Sequence, residues 1–194
     1  CLEQIRNDVC YHNADVTVVS VGGGFSYGQL GVSHFATEDL AIMNALPNIE
    51  VICPASKAQI ESLLDEMDGI ARPKYLRLDK DSADDIIFPN SSLDKPIRVR
   101  DGDAISILST GPIIKEADKA AKSLAKEGIE CRIISVQSLS SIDIKEIKLA
   151  CEETEGILTL EEHVSSGGLG SIVADLCLSN KINPKNFLKI SIPN

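Results

Sequence analysis

Two glycine-rich stretches of this chain carry the side chains best suited to chemistry. The first spans residues 22–34, follows a predicted strand, and contains five glycines, which let a backbone approach a ligand closely. It departs from the dinucleotide fingerprint, because Tyr27 stands where the third glycine belongs, and it lacks the Gly-Lys-Ser/Thr of a P-loop. Its last residue, His34, is of the type that exchanges protons near neutral pH. The stretch predicts either a ligand site or a glycine-rich turn with a hydrogen-bonded histidine.

The second stretch, residues 161–170, begins with Glu161, Glu162 and His163 and lies between a predicted strand and a predicted helix. Paired carboxylates beside a histidine could support acid–base chemistry or bind a cation. They are equally suited to capping the helix that follows and to holding a subunit interface. We favour this structural interpretation, because carboxylates are common where helices begin.

Four basic residues surround the predicted strand at 74–78: Arg72, Lys74, Arg77 and Lys80. Strand alternation puts Lys74 and Lys80 on one face and Arg77 on the other, so they do not form a single patch. A cation at the end of a strand could bind a phosphate, whereas the default for such residues is a solvated face.

Strand-like and helix-like segments alternate along the chain, as they do in parallel α/β sheets. Residues 79–95 break this alternation and are expected to form a polar connector. The fold class is therefore α/β, with two parallel-sheet layers and a boundary near residue 90. The domain at 1–90 is incomplete, and the domain at 91–194 is nearly a complete doubly wound unit. Strands are predicted at 16–21, 50–53, 74–78, 104–109, 131–136, 156–160 and 187–192, and helices at 37–46, from 56 onward, 110–128, 143–153 and 170–180.

Charge and composition exclude several classes of function. The net charge of −10 argues against binding to nucleic acid or to an anionic membrane surface, and no apolar run approaches the ~20 residues of a membrane span. The six cysteines are scattered without metal-ligand spacing, as expected for reduced, mostly buried thiols of a cytoplasmic protein. The first residues lack a starting Met and resemble a helix entered partway, so we expect a fragment or a processed piece.

At the level of longer motifs, the sequence resembles the transketolase family, in particular its separately encoded C-terminal half. The resemblance is carried by GGGFSYGQLGVSHFATEDLAIMNALPN at residues 22–48, and by LTLEEH at 158–163 with GGLG at 167–170. The same superfamily includes deoxyxylulose phosphate synthases and the β subunits of 2-oxoacid dehydrogenases. The resemblance implies a partial pyrimidine-binding domain at 1–90 and a transketolase C-terminal domain at 91–194.

The resemblance also implies a cofactor, thiamine diphosphate with Mg²⁺ or Ca²⁺, and transfer of a two-carbon ketol unit between sugar phosphates. Such enzymes hold the cofactor between two domains of different subunits, so a diphosphate-binding half and a homo- or heterodimer are expected. The family's activating glutamate and its Gly-Asp-Gly metal motif are absent from these 194 residues. No metal ligand is therefore assigned in this chain.

Among the site residues that the resemblance implies, His34 contacts the sugar substrate and assists proton transfer, and Lys80 grips its phosphate. Ser26, Tyr27 and Gly28 are candidates for cofactor contact. Three positions depart from the family pattern: Leu2 replaces an aromatic residue, Leu30 replaces an Asp of many members, and Lys80 replaces an Arg. These departures keep open the alternative of a non-catalytic dimerisation remnant, beside a deoxyxylulose phosphate synthase-like or dehydrogenase β-subunit-like component.

Overall fold

The first sheet of the computed structural model, which describes residues 1–89 and 92–193, has three parallel strands in the order β1-β3-β2. They are β1 (Thr17–Val21), β2 (Glu50–Ile52) and β3 (Lys74–Leu78). Before them, helix α1 (Leu2–Gln4) continues as a π-helical segment, Ile5–Cys10, which confirms the helical reading of the first residues. Between the strands lie α2 (Asp39–Asn44) and α3 (Lys57–Asp68).

The start of α3 follows the capping pattern of its sequence. Ser56 Oγ accepts a hydrogen bond from the Gln59 backbone N–H at 3.1 Å, as predicted. The reciprocal bond differs, because Gln59 Oε1 accepts from the Ala55 N–H at 2.6 Å instead of from Ser56. The helix then packs Leu63 and Met67 onto the first sheet, where they join Ile52, Leu76 and Leu93 in a small core.

The second sheet has five strands in the order β4-β6-β5-β7-β8, with helices α4 (Ile114–Ala125), α5 (Ile144–Glu153) and α6 (Leu169–Ser179). The strands are β4 (Ile97–Arg100), β5 (Ile105–Ser109), β6 (Cys131–Ser135), β7 (Ile157–Val164) and β8 (Phe187–Ile192). All neighbouring pairs are parallel except β4 with β6. The prediction of two α/β layers is confirmed.

Two details of the second sheet differ from the prediction. The sequence pattern missed β4, because this antiparallel edge strand has only four residues, two of them arginines, and follows a proline. β7 runs four residues beyond the predicted end at Leu160 and includes Glu161–His163. The second chemical motif therefore lies on the end of a strand instead of in a loop.

The two sheets are joined by backbone bonds and by a common core. Cys53 N–H donates to Gln137 O at 2.8 Å, and Leu139 N–H donates to Val51 O at 2.9 Å, so the end of β2 pairs with the segment after β6. Buried side chains of both sheets form one cluster that includes Leu40, Val51, Tyr75, Leu108, Ile134 and Leu169. The predicted boundary near residue 90 itself falls on residues 90 and 91, which lie outside the described residues.

Five of the six cysteines are buried and all six are free thiols, which confirms the expectation of mostly buried thiols. No helix within residues 1–89 and 92–193 has the length and apolar character needed to cross a membrane.

Candidate functional site

The glycine-rich loop, residues 22–36, lies where the carboxyl ends of β1, β3 and β7 meet. The loop leaves β1 after Val21, and the Gly22 N–H donates to Leu78 O at the end of β3, at 2.7 Å. From the other sheet, Glu162 near the end of β7 contacts the loop at Phe25. In parallel α/β sheets this edge is the usual place for a ligand.

The loop is closed at its base and open at its tip. Gly24 and Ala36 form an antiparallel bridge with N···O distances of 2.8 and 3.0 Å, and the Phe25 and Phe35 rings pack edge-to-face at 4.8 Å. Two short 3₁₀ turns form the tip, which exposes Leu30 and, for 81% of its surface, Val32. The base therefore fixes the path of the loop, and the tip is presented to solvent or to a partner.

His34 is exposed and stands one residue before the closing Phe35. Its Nδ1 lies 3.1 Å from Ser33 Oγ. Across the described ranges 1–89 and 92–193, no hydrogen bond or ion pair joins His34 to Lys80. The structure thus places His34 on the open part of the loop, accessible to a substrate.

The predicted cofactor residues and Lys80 do come together. Lys80 is exposed and its Nζ lies 3.6 Å from the centroid of the Tyr27 ring, a cation–π contact. The same ring packs on Gly22, where a Cβ would lie 2.1 Å from Tyr27 Cε2, so only glycine allows this approach. Ser26 Oγ donates to Gly23 O at 2.7 Å, and Gly28 begins the first 3₁₀ turn.

Beneath the loop lies a charged cluster that the sequence did not reveal. Arg77, with 3% of its side chain exposed, lies 3.4 Å from Asp39 and 3.6 Å from Asp79. Its Nη2 also donates to the backbone carbonyl of Glu162 at 3.4 Å, and Tyr75 Oη donates to Asp39 at 2.8 Å. The cluster therefore connects β3, α2 and β7 directly under the candidate site.

Burial governs the titration of this cluster. Burial raises the pKa of Asp79 above its ordinary 3.8, and the positive charge of Arg77 opposes that rise. Burial also raises the pKa of the nearby Cys53 thiol to about 12, so this thiol stays protonated at neutral pH.

The expectation of a solvated basic face is wrong for Arg77 and Lys74, both of which are 3% exposed. Lys74 Nζ pairs with Asp15 at 2.6 Å, away from the Arg77 cluster, so the four basic residues do not form one patch, as predicted. The central position of β3 between two strands was the signal that could have identified them. A charged residue on a strand buried on both faces needs a partner of opposite charge.

The Glu161–His163 motif has the structural role that we favoured. Glu161 accepts hydrogen bonds from the Leu169 and Gly170 N–H groups at 2.6 and 2.9 Å and so caps α6. Burial raises its pKa, and these two bonds oppose the rise. His163 is fully buried, with Nδ1 2.8 Å from Val164 O and Nε2 accepting from the Ala41 N–H at 3.3 Å. Its part in a subunit interface stays a prediction.

The described residues offer no metal-binding cluster: within 1–89 and 92–193, no three His, Cys, Asp or Glu side chains are grouped to hold a metal ion. The donor set of this chain therefore does not fit the Mg²⁺ or Ca²⁺ that accompanies thiamine diphosphate. Hydroxyl and backbone groups of the loop are available for the organic part of such a cofactor.

Comparison with known proteins identifies two consecutive domains. The model of the transketolase pyrimidine binding domain matches residues 1–84, and the model of the transketolase C-terminal domain matches residues 94–186. The first match contains all three strands of the first sheet, and the second contains β4 to β7 of the second sheet.

Curated relatives cover nearly all of this chain. One of the two subunits of an apulose-4-phosphate transketolase from Phocaeicola vulgatus is 30% identical over 185 residues, which are 93% of this chain and 59% of that protein. A putative transketolase C-terminal section of Methanocaldococcus jannaschii is 32% identical over 195 residues, which are 98% of this chain and 60% of that protein. The chain thus spans about 60% of the length of these relatives.

Solved structures share the fold. A split-gene transketolase, described as an inactive β4 tetramer, superposes with a TM-score of 0.84 at 30% identity, covering 98% of this chain and 61% of that one. The transketolase of Campylobacter jejuni gives a TM-score of 0.69 at 14% identity over 92% of this chain and 27% of that one, a likeness of fold alone.

Proposed function

This chain belongs to the transketolase family, and from that premise we propose that it forms one half of a thiamine diphosphate-dependent enzyme. The enzyme transfers a two-carbon ketol unit between sugar phosphates, and the other half is a diphosphate-binding subunit or section that holds the diphosphate and its Mg²⁺ or Ca²⁺. The active unit is a homo- or heterodimer. The domain boundary lies near residue 90, and the free, mostly buried thiols support a cytoplasmic location.

The observation that carries this proposal is the glycine-rich loop with His34 at the carboxyl edge of the first sheet. The loop and the end of β3 present an exposed imidazole, an exposed ammonium and exposed backbone to the outside of the chain. A site as open as this one excludes water only when a second polypeptide surface covers it. The relatives that are subunits or sections of transketolases support the same division.

Each residue has a distinct part in the proposed reaction. Bound thiamine diphosphate supplies the electron sink that holds the two-carbon fragment after the carbon–carbon bond breaks. His34 hydrogen-bonds a substrate hydroxyl and moves its proton, for which the exposed ring is accessible. Lys80 binds the substrate phosphate, and Ser26, Tyr27 and Gly28 contact the cofactor ring.

Calorimetric titration of thiamine diphosphate with Mg²⁺ tests the proposal. The titration is performed on this chain alone, on a diphosphate-binding half from the same source, and on their mixture. We expect binding in the mixture and not in this chain alone, because its described residues contain no metal cluster. Absence of binding in the mixture would contradict the proposal and favour the non-catalytic dimerisation alternative.

Replacing Lys80 by alanine is expected to raise the KM for a phosphorylated sugar about ten- to a hundredfold, the cost of one lost charged hydrogen bond. The Lys80→Arg variant should keep a low KM, since it retains the charge and adds a second donor. Initial rates of the mixture, measured over a range of substrate concentrations, check both results. Lys126→Ala, at the end of α4, is the matched control. An unchanged KM in Lys80→Ala would exclude phosphate binding by this residue.

A further inference from the structure

Glu162 joins the C-terminal domain to the glycine-rich loop of the other domain. Its Oε1 accepts a hydrogen bond from the Phe25 backbone N–H at 3.0 Å, across 137 positions of sequence. The preceding residue, Gly24, has φ of +56°, and a Cβ there would lie 2.6 Å from Glu162 Cδ and 2.7 Å from Cγ. The first turn of the loop therefore rests directly on the Glu162 side chain.

Glu162 is itself held firmly by contacts that do not involve the loop. Its backbone carbonyl accepts a hydrogen bond from the buried Arg77 at 3.4 Å. On either side of it, Glu161 caps α6 with two backbone hydrogen bonds, and buried His163 accepts one from Ala41. The carboxylate of Glu162 is thus presented from a rigid strand end, which makes it suitable as a fixed support for the loop.

The geometry of the loop carries this support to His34. Phe25 is bonded to Glu162, packs edge-to-face on Phe35, and adjoins the Gly24–Ala36 bridge. Because His34 precedes Phe35 directly, the position of the imidazole depends on this closed base. Without the Glu162 bond, the base keeps the bridge and the aromatic pair, but Phe25 loses its contact with the second domain.

We propose that Glu162 is a positioning residue, through which the C-terminal domain sets the conformation of the glycine-rich loop and the placement of His34. This inference rests on the proposed function, since it concerns the same reaction. The bond that matters is acceptance of the Phe25 N–H, so an uncharged oxygen at the same place can replace the carboxylate. An error of about 1 Å in the placement of a catalytic group is enough to lower turnover about a hundredfold.

The test compares Glu162→Ala with Glu162→Gln, which retains an acceptor oxygen, and with Glu152→Ala, an exposed glutamate of α5, as matched control. Amide hydrogen exchange is measured on each chain, and kcat and KM on each mixture with the diphosphate-binding half. In Glu162→Ala we expect exchange at residues 24–36 to accelerate about tenfold or more, the effect of one charge-assisted hydrogen bond. We expect kcat to fall at least tenfold with a smaller change in KM. Glu162→Gln should recover most of both quantities, and Glu152→Ala should match the wild type.

Two outcomes overturn the inference. One is wild-type exchange in the loop of Glu162→Ala, and the other is an unchanged kcat despite accelerated exchange. An equal loss of kcat in Gln and Ala variants with wild-type exchange also overturns it, because the negative charge would then act on the substrate itself. Failure of the proposed function is separate: the wild-type mixture would bind no cofactor, while the exchange rates would still decide whether Glu162 holds the loop.

Discussion

Replacing His34 by alanine is expected to reduce turnover of the mixture of this chain with its diphosphate-binding half by about 10²- to 10⁴-fold. This is the usual effect of removing a positioned acid–base group, and His34 offers the geometry for one. The ring is exposed on the loop, and Nδ1 is engaged with Ser33 Oγ at 3.1 Å, which leaves Nε2 for a substrate hydroxyl. Steady-state rates with a sugar phosphate donor and acceptor check the result.

His12→Ala is the matched control for this experiment. His12 is exposed and contacts the neighbouring Tyr11 ring, far from the loop in sequence, so its removal should leave turnover unchanged. Because His34 is exposed, the alanine variant should unfold at the same urea concentration as the wild type. Full turnover in His34→Ala would show that the imidazole takes no part in the reaction.

Replacing Arg77 by alanine is expected to lower the free energy of unfolding by about 3–5 kcal/mol, because two buried carboxylates lose their cation. Asp39 and Asp79 both pair with this guanidinium, and 14% and 7% of their side chains are exposed. Urea unfolding of the chain, followed by circular dichroism, measures the loss.

The pH dependence of this loss has a definite sign. Burial already holds the pKa of Asp79 above 3.8, and removal of Arg77 takes away the charge that opposes the rise. A raised carboxyl pKa means that the fold loses stability as the pH rises from the unfolded value through the folded one. The deficit of Arg77→Ala is therefore largest at pH 7 and shrinks as acid protonates the carboxyl.

Two further variants identify the cause of this destabilisation. Arg6→Ala removes an exposed arginine and should cost little, whereas the double variant Arg77→Met/Asp79→Asn should recover part of the loss by removing one unpaired charge. A loss below about 1 kcal/mol in Arg77→Ala, within the range of surface ion pairs, would contradict the buried-cluster description.

The sequence pattern was sufficient for most of the secondary structure. Each predicted strand is present within one or two residues, apart from the longer β7, because a strand between two layers requires a run of apolar residues. Local side-chain signals were equally direct: Ser56 and Asp143 accept the capping bonds of α3 and α5. The strand β4 was missed because a short edge strand buries little and therefore leaves little pattern.

The family resemblance rested on contiguous motifs, and the domain matches and relatives bear it out. The residues proposed to bind cofactor and substrate came from the same motifs, and the structure brings Lys80 and Tyr27 of that set into contact. Arg77 and Glu162 could not be given their parts in the same way. Each stands in a pattern that also fits a solvent-exposed charge, and only its partners distinguish the two cases.

The sequence alone therefore determined the α/β class, the two domains and the glycine-rich loop with His34, because each is encoded by neighbouring residues. Only the tertiary structure decided what lies beneath and beside the loop: Arg77 between two carboxylates, and Glu162 against Phe25. The physical reason is that hydrogen bonds and ion pairs depend on distance in space. Periodicity records which face of a strand is buried, but not which residue 137 positions away will meet it.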